Sequence, residues 1–298
     1  MFSMNSLNIK TRALILHLLV EGNSIRSAAQ IADVSRNTAD RLLRDIGSVC
    51  LDYQEEHMRD LPCERVQCDE IWSFVGAKEK NIPDEKKGID VDDVWIWVAL
   101  CADTKLAPCW HVGNRTMADA RTFIGDLAGR LAKRVQLTTD GHRPYLEVVE
   151  HAFAGDLDFA QLVKLYGDGT NKKSPEKKYG SDHVCGARKV RVNGQPDEAH
   201  VSTSYIERQK LTMRMSMRRF TRLTNTFSKK VENHMHAISL HYMYYNFARI
   251  HKSLKGSSAM VAGITDHLWS LEEIAVLAPV EALKKRSPYK KRTQTNSN

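Results

Sequence analysis

Apolar positions recur with helical spacing in three short runs within the first 50 residues. Each run follows a residue that can cap a helix, and the third run begins after Ser35 and is expected to end at Gly47. The small side chains of Ala28 and Ala29 precede a turn, where they allow two helices to cross closely. The pattern predicts an all-α helix-turn-helix domain over residues 1–50, with an ordinary three-helix bundle as the alternative.

The polar side of the third predicted helix carries the residues that we expect to contact DNA. They are Arg36, Asn37, Arg41 and Arg44. A basic helix face of this size enters the major groove, where arginine and asparagine meet base edges or phosphates. The alternative interpretation is a solvated face without a ligand.

After a linker over 51–64, the helical spacing gives way to short apolar runs that are typical of strands. Strands are predicted at 65–74, 94–102, 106–112, 135–139 and 159–166, and helices at 117–132 and 144–153. The segment 78–93 is charged and poor in hydrophobic residues, which indicates a loop. We therefore expect an α/β fold over 65–255, with a mixed sheet and flanking helices. The remainder, 256–298, is predicted to hold a C-terminal helix and a basic tail.

Positive charge changes this picture because it is clustered. The chain has 44 Lys and Arg against 36 Asp and Glu, which gives a formal net charge of +8. Residues 208–230 hold eight basic and no acidic residues, and 284–292 hold six more basic residues. Such clusters favour an anionic partner, either nucleic acid or an acidic membrane surface.

Several classes of protein are not expected from this sequence. No apolar run approaches the ~18 residues that a transmembrane helix needs, so no membrane partner is predicted. The N-terminus is polar and continues into a periodic helix, unlike a signal peptide. The six cysteines are scattered without a disulfide framework. A cytoplasmic protein with reduced thiols fits these features best.

Two aspartates occupy positions where α/β proteins place chemistry. Asp69 lies inside the first predicted strand among apolar neighbours, where an unpaired charge is costly to bury. Asp140 ends an apolar strand just before Gly141, and open α/β sheets place their sites beyond the carboxyl ends of strands. The alternatives are an exposed charge on an edge strand for Asp69 and a turn-forming residue for Asp140.

A third acid, Glu207, opens a long basic helix predicted over 204–224. The expected DNA contacts on this helix are Lys210, Arg214, Arg218 and Arg222. A carboxylate ahead of a basic stripe suits a metal-dependent phosphodiester enzyme, because the acid holds the ion and the cations receive the DNA backbone. The alternative is structural, since Ser204 and Glu207 have the spacing of a capping box.

Three carboxylates brought together repel one another unless cations neutralise them. Hard oxygen ligands favour Mg²⁺ or Mn²⁺, and two ions about 3.5–4 Å apart can activate the attacking oxygen and stabilise the leaving one. His142, two residues after Asp140, is a possible phosphate contact or proton shuttle. No zinc is predicted, because the pair Cys63 and Cys68 has no second pair of matching spacing.

Four segments together resemble DDE transposases of bacterial insertion sequences, of the insertion-sequence-one type. They are VQCDEIWSF around Asp69, LTTDGHRPYL around Asp140, HVSTSYIERQKLTMRMSMRRFTRLTN around Glu207, and HYMYYNFARIHKSL at 241–254. The resemblance extends over nearly the whole chain, from the helix-turn-helix region to about residue 277.

The resemblance implies a ribonuclease-H-like catalytic domain that binds the inverted-repeat ends of a mobile element. It implies Mg²⁺-dependent cleavage and transfer of a 3′-hydroxyl into double-stranded target DNA, with Asp69, Asp140 and Glu207 as the catalytic and metal-binding triad. It also implies a bacterial, nucleoid-associated protein that works as a homo-oligomer, and it matches Arg214 to the basic residue that follows the glutamate by two helical turns. The segment between the second and third acids is longer than in integrase-like relatives, so Glu232 and Glu198 remain alternatives to Glu207.

Two other functions are compatible with these features. One is a helix-turn-helix regulator whose larger domain has no catalytic role, although it leaves the buried Asp69 and the acid-free basic segment unexplained. The other is a metal-dependent DNA nuclease that uses the same triad without strand transfer. Hydrolysis and transfer share their metal chemistry and differ in the attacking hydroxyl, so the sequence does not separate them.

Overall fold

A computed structural model of the chain describes residues 7–76, 92–166, 184–221 and 227–278. The predicted loop at 78–93 falls almost wholly outside these ranges, as do Arg222 and the basic cluster at 284–292. Among the described residues, no helix is long and apolar enough to cross a membrane.

Three helices form the N-terminal region: α1 (Ile9–Val20), α2 (Ile25–Ile31) and α3 (Arg36–His57). Asn8, Ser24 and Ser35 cap them, each accepting a backbone N–H three residues ahead. The predicted end of the third helix at Gly47 is wrong, because α3 continues for ten more residues into the predicted linker.

Tertiary packing explains why Gly47 does not end α3. A Cβ atom at this position would lie only 2.5 Å from the Cβ atom and the carbonyl oxygen of His236. The missing side chain therefore allows α3 to approach the later helix α7 (Val231–Met243) closely. Local helix propensity alone marks glycine as a breaker, but the contact between the two helices outweighs it.

The described residues form one six-stranded sheet of mixed direction. Its strands are β1 (Arg65–Val75), β2 (Asp92–Cys101), β3 (Trp110–Gly113), β4 (Gln136–Asp140), β5 (Asp158–Tyr166) and β6 (Val184–Asn193). In the order β3-β2-β1-β4-β5-β6, the first three strands pair antiparallel, whereas β1, β4 and β5 run parallel to one another. Strand β6 closes the edge antiparallel to β5 and was not predicted.

Helices flank this sheet, which agrees with the predicted mixed α/β class. They are α4 (Met117–Arg130), α5 (Pro144–Phe153), α6 (Ser204–Ser216), α7, α8 (Ser258–Val261) and α9 (Leu271–Leu277). The predicted basic helix at 204–224 is too long, because α6 ends at Ser216 and a 3-10 turn follows over Arg218–Phe220. The basic residues after Glu207 therefore do not share one helical face.

The N-terminal helices and the sheet region share a continuous hydrophobic core. Ile15 and Ile46 from the first region belong to the same buried cluster as Ile71 and Phe123 from the second. The C-terminal end of the described chain is tied in as well, since the buried Arg12 donates a 2.9 Å hydrogen bond to the carbonyl oxygen of Ala278. The N-terminal region is thus held against the rest of the protein by apolar packing and by polar contacts.

Candidate active site

Neighbouring parallel strands bring Asp69 and Asp140 together. The ladder between β1 and β4 ends at the pair Cys68 and Thr139, and each aspartate is the next residue on its strand. Because laterally adjacent residues of a sheet lie on the same face, this register places the two carboxylates side by side. Asp140 is the last residue of β4, as predicted, whereas Asp69 lies in the middle of β1.

Glu70 joins this pair, although the sequence did not single it out. One carboxylate oxygen from each of Asp69, Glu70 and Asp140 lies within 4.8 Å of the others. Both Asp69 and Glu70 are buried. Strand alternation assigns consecutive residues to opposite faces, so the pattern gave no reason to place Glu70 beside Asp69. The sequence signal that could have identified Glu70 is a second acid in a strand that is buried on both faces.

Two cations contact the carboxylate group and offset part of its charge. The Nζ atom of Lys210 lies 2.6 Å from Oδ2 of Asp69. The guanidinium of Arg115 lies 3.1 Å from Oε2 of Glu70 and 3.9 Å from Oδ2 of Asp140. Arg115 was not predicted as a site residue. Lys210 pairs with Asp69 in the structure, and its predicted contact with DNA stays a prediction.

Burial and mutual repulsion shift the acid equilibria of the group. Burial raises the pKa of Glu70 to about 7, the nearby charge of Asp140 adds to this, and the hydroxyl of Tyr145 opposes it. Burial, followed by the charge of Asp69, raises the pKa of Asp140 above its usual value. Both carboxylates therefore favour a nearby positive charge when they are ionised.

Helix α6 is fixed against β1 by a buried glutamine. The Oε1 atom of Gln67 accepts hydrogen bonds of 3.0 Å from the backbone N–H groups of both Tyr205 and Ile206, in the first turn of the helix. These donors have no partner within their own helix, so the amide satisfies two groups that would otherwise be unpaired. The contact sets the position from which Lys210 reaches Asp69.

Glu207 is not a member of the acidic group. Its Oε1 atom lies 2.5 Å from Nζ of Lys164 and accepts a 3.0 Å hydrogen bond from the hydroxyl of Thr203. Burial acts to raise the pKa of Glu207, but Lys164, Thr203 and Lys210 together outweigh this effect, so the pKa is lowered and the side chain stays charged. The alternative capping box with Ser204 is wrong, because α6 begins at Ser204 and its N-cap, Thr203, makes no side-chain capping bond.

The two alternative acids are not members of this group either. Glu198 is exposed in a 3-10 turn and Glu232 is exposed in the first turn of α7. Neither belongs to the carboxylate group around Asp69.

The predicted DNA contacts of α3 all lie on its exposed side. Arg36, Asn37 and Arg41 are exposed, and Arg44 lies 3.6 Å from the carboxylate of Asp40. The basic residues that follow α6 are less uniform. Arg214 is half-buried in α6, whereas Arg218 is exposed in the 3-10 turn. Whether any of these residues binds DNA stays a prediction.

His142 lies beside the group but is not set up as a cation. Its backbone N–H donates a 3.0 Å hydrogen bond to Oδ1 of Asp140, and its ring packs near Trp97 and Tyr145. Burial, aided by the positive charge of Arg115, lowers the pKa of His142 to about 4. The ring is therefore neutral near pH 7, and a phosphate contact from it would be a hydrogen bond without charge.

The donor set suits a hard divalent cation. Carboxylate oxygens are preferred by Mg²⁺ and Mn²⁺, and the three acids form the one group of potential ligands found in the described part of the chain. Lys210 and Arg115 show that positive charge is already accommodated there. The predicted absence of zinc stays a prediction.

Neither a protein-family model nor a curated protein sequence matches this chain. Three solved transposase structures show weak similarity. The "Mos1 transposase paired-end complex with left transposon end" has a TM-score of 0.24 and 11% identity, over 53% of this chain and 60% of that chain. The "piggyBac transposase synaptic complex with hairpin DNA" has a TM-score of 0.41 and 11% identity, over 91% and 70% of the two chains. The "Mos1 Strand Transfer Complex" has a TM-score of 0.24 and 10% identity, over 82% and 77%.

This chain therefore spans about three fifths of the Mos1 chain in the paired-end complex. All three TM-scores are below 0.5, so these similarities carry no argument about fold or function.

Proposed function

We propose that this protein is a DDE transposase of the insertion-sequence-one type, which cleaves DNA at the ends of a mobile element and transfers the 3′-hydroxyl to target DNA. The observation that carries the proposal is the meeting of the Asp69 and Asp140 carboxylates on adjacent parallel strands. Paired carboxylates can hold the divalent ions that metal-dependent phosphodiester chemistry uses. A ribonuclease-H-like fold of the catalytic domain is part of the proposal, supported by an antiparallel β3-β2-β1 unit extended by parallel strands.

Asp69 and Asp140 would hold Mg²⁺ or Mn²⁺, and we expect two ions per site. Bound divalent ions would activate the attacking hydroxyl and stabilise the leaving oxygen of the phosphodiester. In the protein itself, Lys210 and Arg115 offset part of the charge of the acids.

Glu207 remains the proposed third ligand. Both oxygens of Glu70 are already engaged, one by the hydroxyl of Tyr145 and the other by Arg115. Glu207 is more exposed and is held by Lys164 through one oxygen. It also lies one helical turn before Lys210, which already contacts Asp69 from the same helix. A change in side-chain conformation at Glu207 would be needed to complete the triad.

DNA would contact the protein at two places in this proposal. The exposed basic side of α3 would act as the recognition helix of a helix-turn-helix domain, and the basic residues after Glu207 would receive the backbone near the site. Because two DNA ends must be held together for transposition, a homo-oligomer is part of the proposal.

The test is a cleavage and joining assay with duplexes copied from the two flanks of the coding sequence. With Mg²⁺, the wild-type protein should produce 3′-hydroxyl nicks at the element ends and joined products, and chelation should abolish both. Asp69→Asn should remove both activities and retain DNA binding. Asp156→Asn changes an exposed aspartate that pairs with Arg134, so it is the matched control and should be active.

The outcome also separates the alternative functions. Undiminished cleavage by Asp69→Asn would refute the metal site, and nicking without joined products would favour a nuclease. Binding without cleavage by the wild-type protein would favour a regulator. Glu207→Gln should abolish cleavage if Glu207 is the third ligand, whereas activity in this variant would remove it from the triad.

A further inference from the structure

Arg115 is held at the border of the acidic group by contacts on several sides. It precedes α4, in the segment after β3, and its side chain is 38% exposed. Its Nε and Nη2 atoms lie 3.2 Å and 3.1 Å from the same oxygen of Glu70, whose side chain is only 1% exposed. A buried acid thus fixes one edge of a guanidinium that is partly open to solvent.

Two further contacts define the plane and reach of this guanidinium. Its central carbon lies 4.8 Å from the ring centroid of Trp95 on β2, a cation–π distance. Its Nη2 atom lies 3.9 Å from the carboxylate of Asp140. The second oxygen of Glu70 accepts a hydrogen bond from the hydroxyl of Tyr145, so the anchoring acid is fixed as well.

The remaining donors of Arg115 suit an oxyanion. A guanidinium carries five N–H groups in a rigid plane, and the Glu70 contact engages only two of its nitrogens. Fixed arginine forks are well matched to phosphate, and they cost less entropy on binding than flexible side chains do. A phosphate that approaches three carboxylates is repelled, and a positive charge at their border reduces this repulsion.

We propose that Arg115 binds a phosphate of the DNA strand at the carboxylate site, and that Glu70 and Trp95 are positioning residues that aim its guanidinium. This assignment rests on the proposed function, because it presumes a DNA strand at Asp69 and Asp140. It gives Glu70 a role distinct from that of a metal ligand. It also makes the β3–α4 segment part of the DNA-binding surface.

The experiment is a scan of single neutral methylphosphonates along the flank duplexes, with binding measured in Ca²⁺. Arg115→Gln should weaken binding of the unmodified duplex about tenfold, as expected for one lost charge-assisted contact. It should also reduce the slope of log affinity against log salt by about one. At the phosphate that Arg115 contacts, a methylphosphonate should weaken binding by the wild-type protein about as much as the Arg115→Gln substitution does. The same methylphosphonate should not weaken binding by Arg115→Gln any further. Additive losses at every position would overturn the assignment.

Two controls separate phosphate binding from a structural role. Arg121→Gln removes an exposed arginine of α4 that pairs with Glu147, and it should keep the full methylphosphonate effect. The double variant Glu70→Gln/Arg115→Gln removes both charges of the pair, so no buried charge is left unpaired. If it bound DNA more tightly than Arg115→Gln does, the role of Arg115 would be structural only. We expect no recovery.

The positioning role has its own readout. Glu70→Gln and Trp95→Leu keep Arg115 but loosen it, so each should shrink the methylphosphonate effect at the same phosphate position. An unchanged effect would remove these residues from the proposal. Binding in Ca²⁺ requires no catalysis, so a failure of the proposed chemistry would be seen separately, as wild-type protein that does not cleave in Mg²⁺.

Discussion

Replacing Gly47 with alanine should change the free energy of unfolding in two opposite ways, one through helix propensity and one through packing against α7. In an exposed helix, replacing glycine with alanine stabilises the protein by about 0.5–1 kcal/mol. At Gly47 the added methyl group would lie 2.5 Å from the Cβ and carbonyl oxygen of His236 and 2.7 Å from its Cα. These atoms cannot rotate away, so α3 and α7 must separate, and overpacking of this kind costs about 1–3 kcal/mol.

We therefore expect Gly47→Ala to lower the free energy of unfolding by about 1–2 kcal/mol after the propensity gain is subtracted. Gly125 provides the matched control, because it is an exposed glycine in α4 with no atom within 4 Å of an added Cβ. Gly125→Ala should raise the free energy of unfolding by about 0.5–1 kcal/mol. Urea unfolding followed by circular dichroism measures both values. Equal stabilisation by the two substitutions would refute the close approach of α3 and α7.

Two further predictions concern the site and its support, and a third concerns His241, which is buried in α7. In chelator, Glu70→Gln should lose the pH dependence that a carboxyl with its pKa raised from 4.5 to about 7 contributes. That contribution favours the folded state below pH 4.5 and is lost as the pH rises through 7, which lowers the free energy of unfolding by roughly 3 kcal/mol. Urea titrations give the free energy of unfolding of the wild type and of Glu70→Gln at each pH. Parallel curves of this free energy against pH for the two proteins would contradict the prediction. Gln67→Met should leave two N–H groups of α6 unpaired and cost about 1–3 kcal/mol, whereas Gln67→Glu, which keeps the acceptor, should cost less in the same titrations. His241→Phe should stabilise the protein most below pH 6.5, because burial lowers the pKa of His241 to about 3, and an unchanged thermal midpoint at pH 5 would count against this.

The elements with strong local signals were predictable from the sequence. Helix α5 was expected at 144–153 and extends over Pro144–Phe153, because a proline start and a clear apolar face mark it locally. Asp69 was identified because a charge within an apolar strand is costly to bury. Asp140 was identified because it is an acid at the end of an apolar strand, where α/β proteins place their sites. Their proximity then follows from the parallel pairing of β1 and β4.

The contacts that surround the two aspartates could not be predicted in the same way. Lys210 lies 141 residues from Asp69 in the chain, and Arg115 lies 45 residues from Glu70. No local pattern encodes such pairs, so the contact between Lys210 and Asp69 was not predicted. Strand β6 was missed for a related reason, because an edge strand with exposed charges shows little apolar alternation.

If Asp69 and Asp140 hold the divalent ion that DNA cleavage requires, a change of ligand chemistry at Asp140 should change which ion supports cleavage. Asp140→Cys replaces a hard oxygen ligand with a softer thiolate, which disfavours Mg²⁺ more than Mn²⁺. Cleavage of the flank duplexes should be lost in Mg²⁺ and partly restored in Mn²⁺, whereas Asp140→Ala should be inactive with both ions. Equal cleavage by Asp140→Cys with either ion, or cleavage that survives chelation, would contradict metal binding by Asp140.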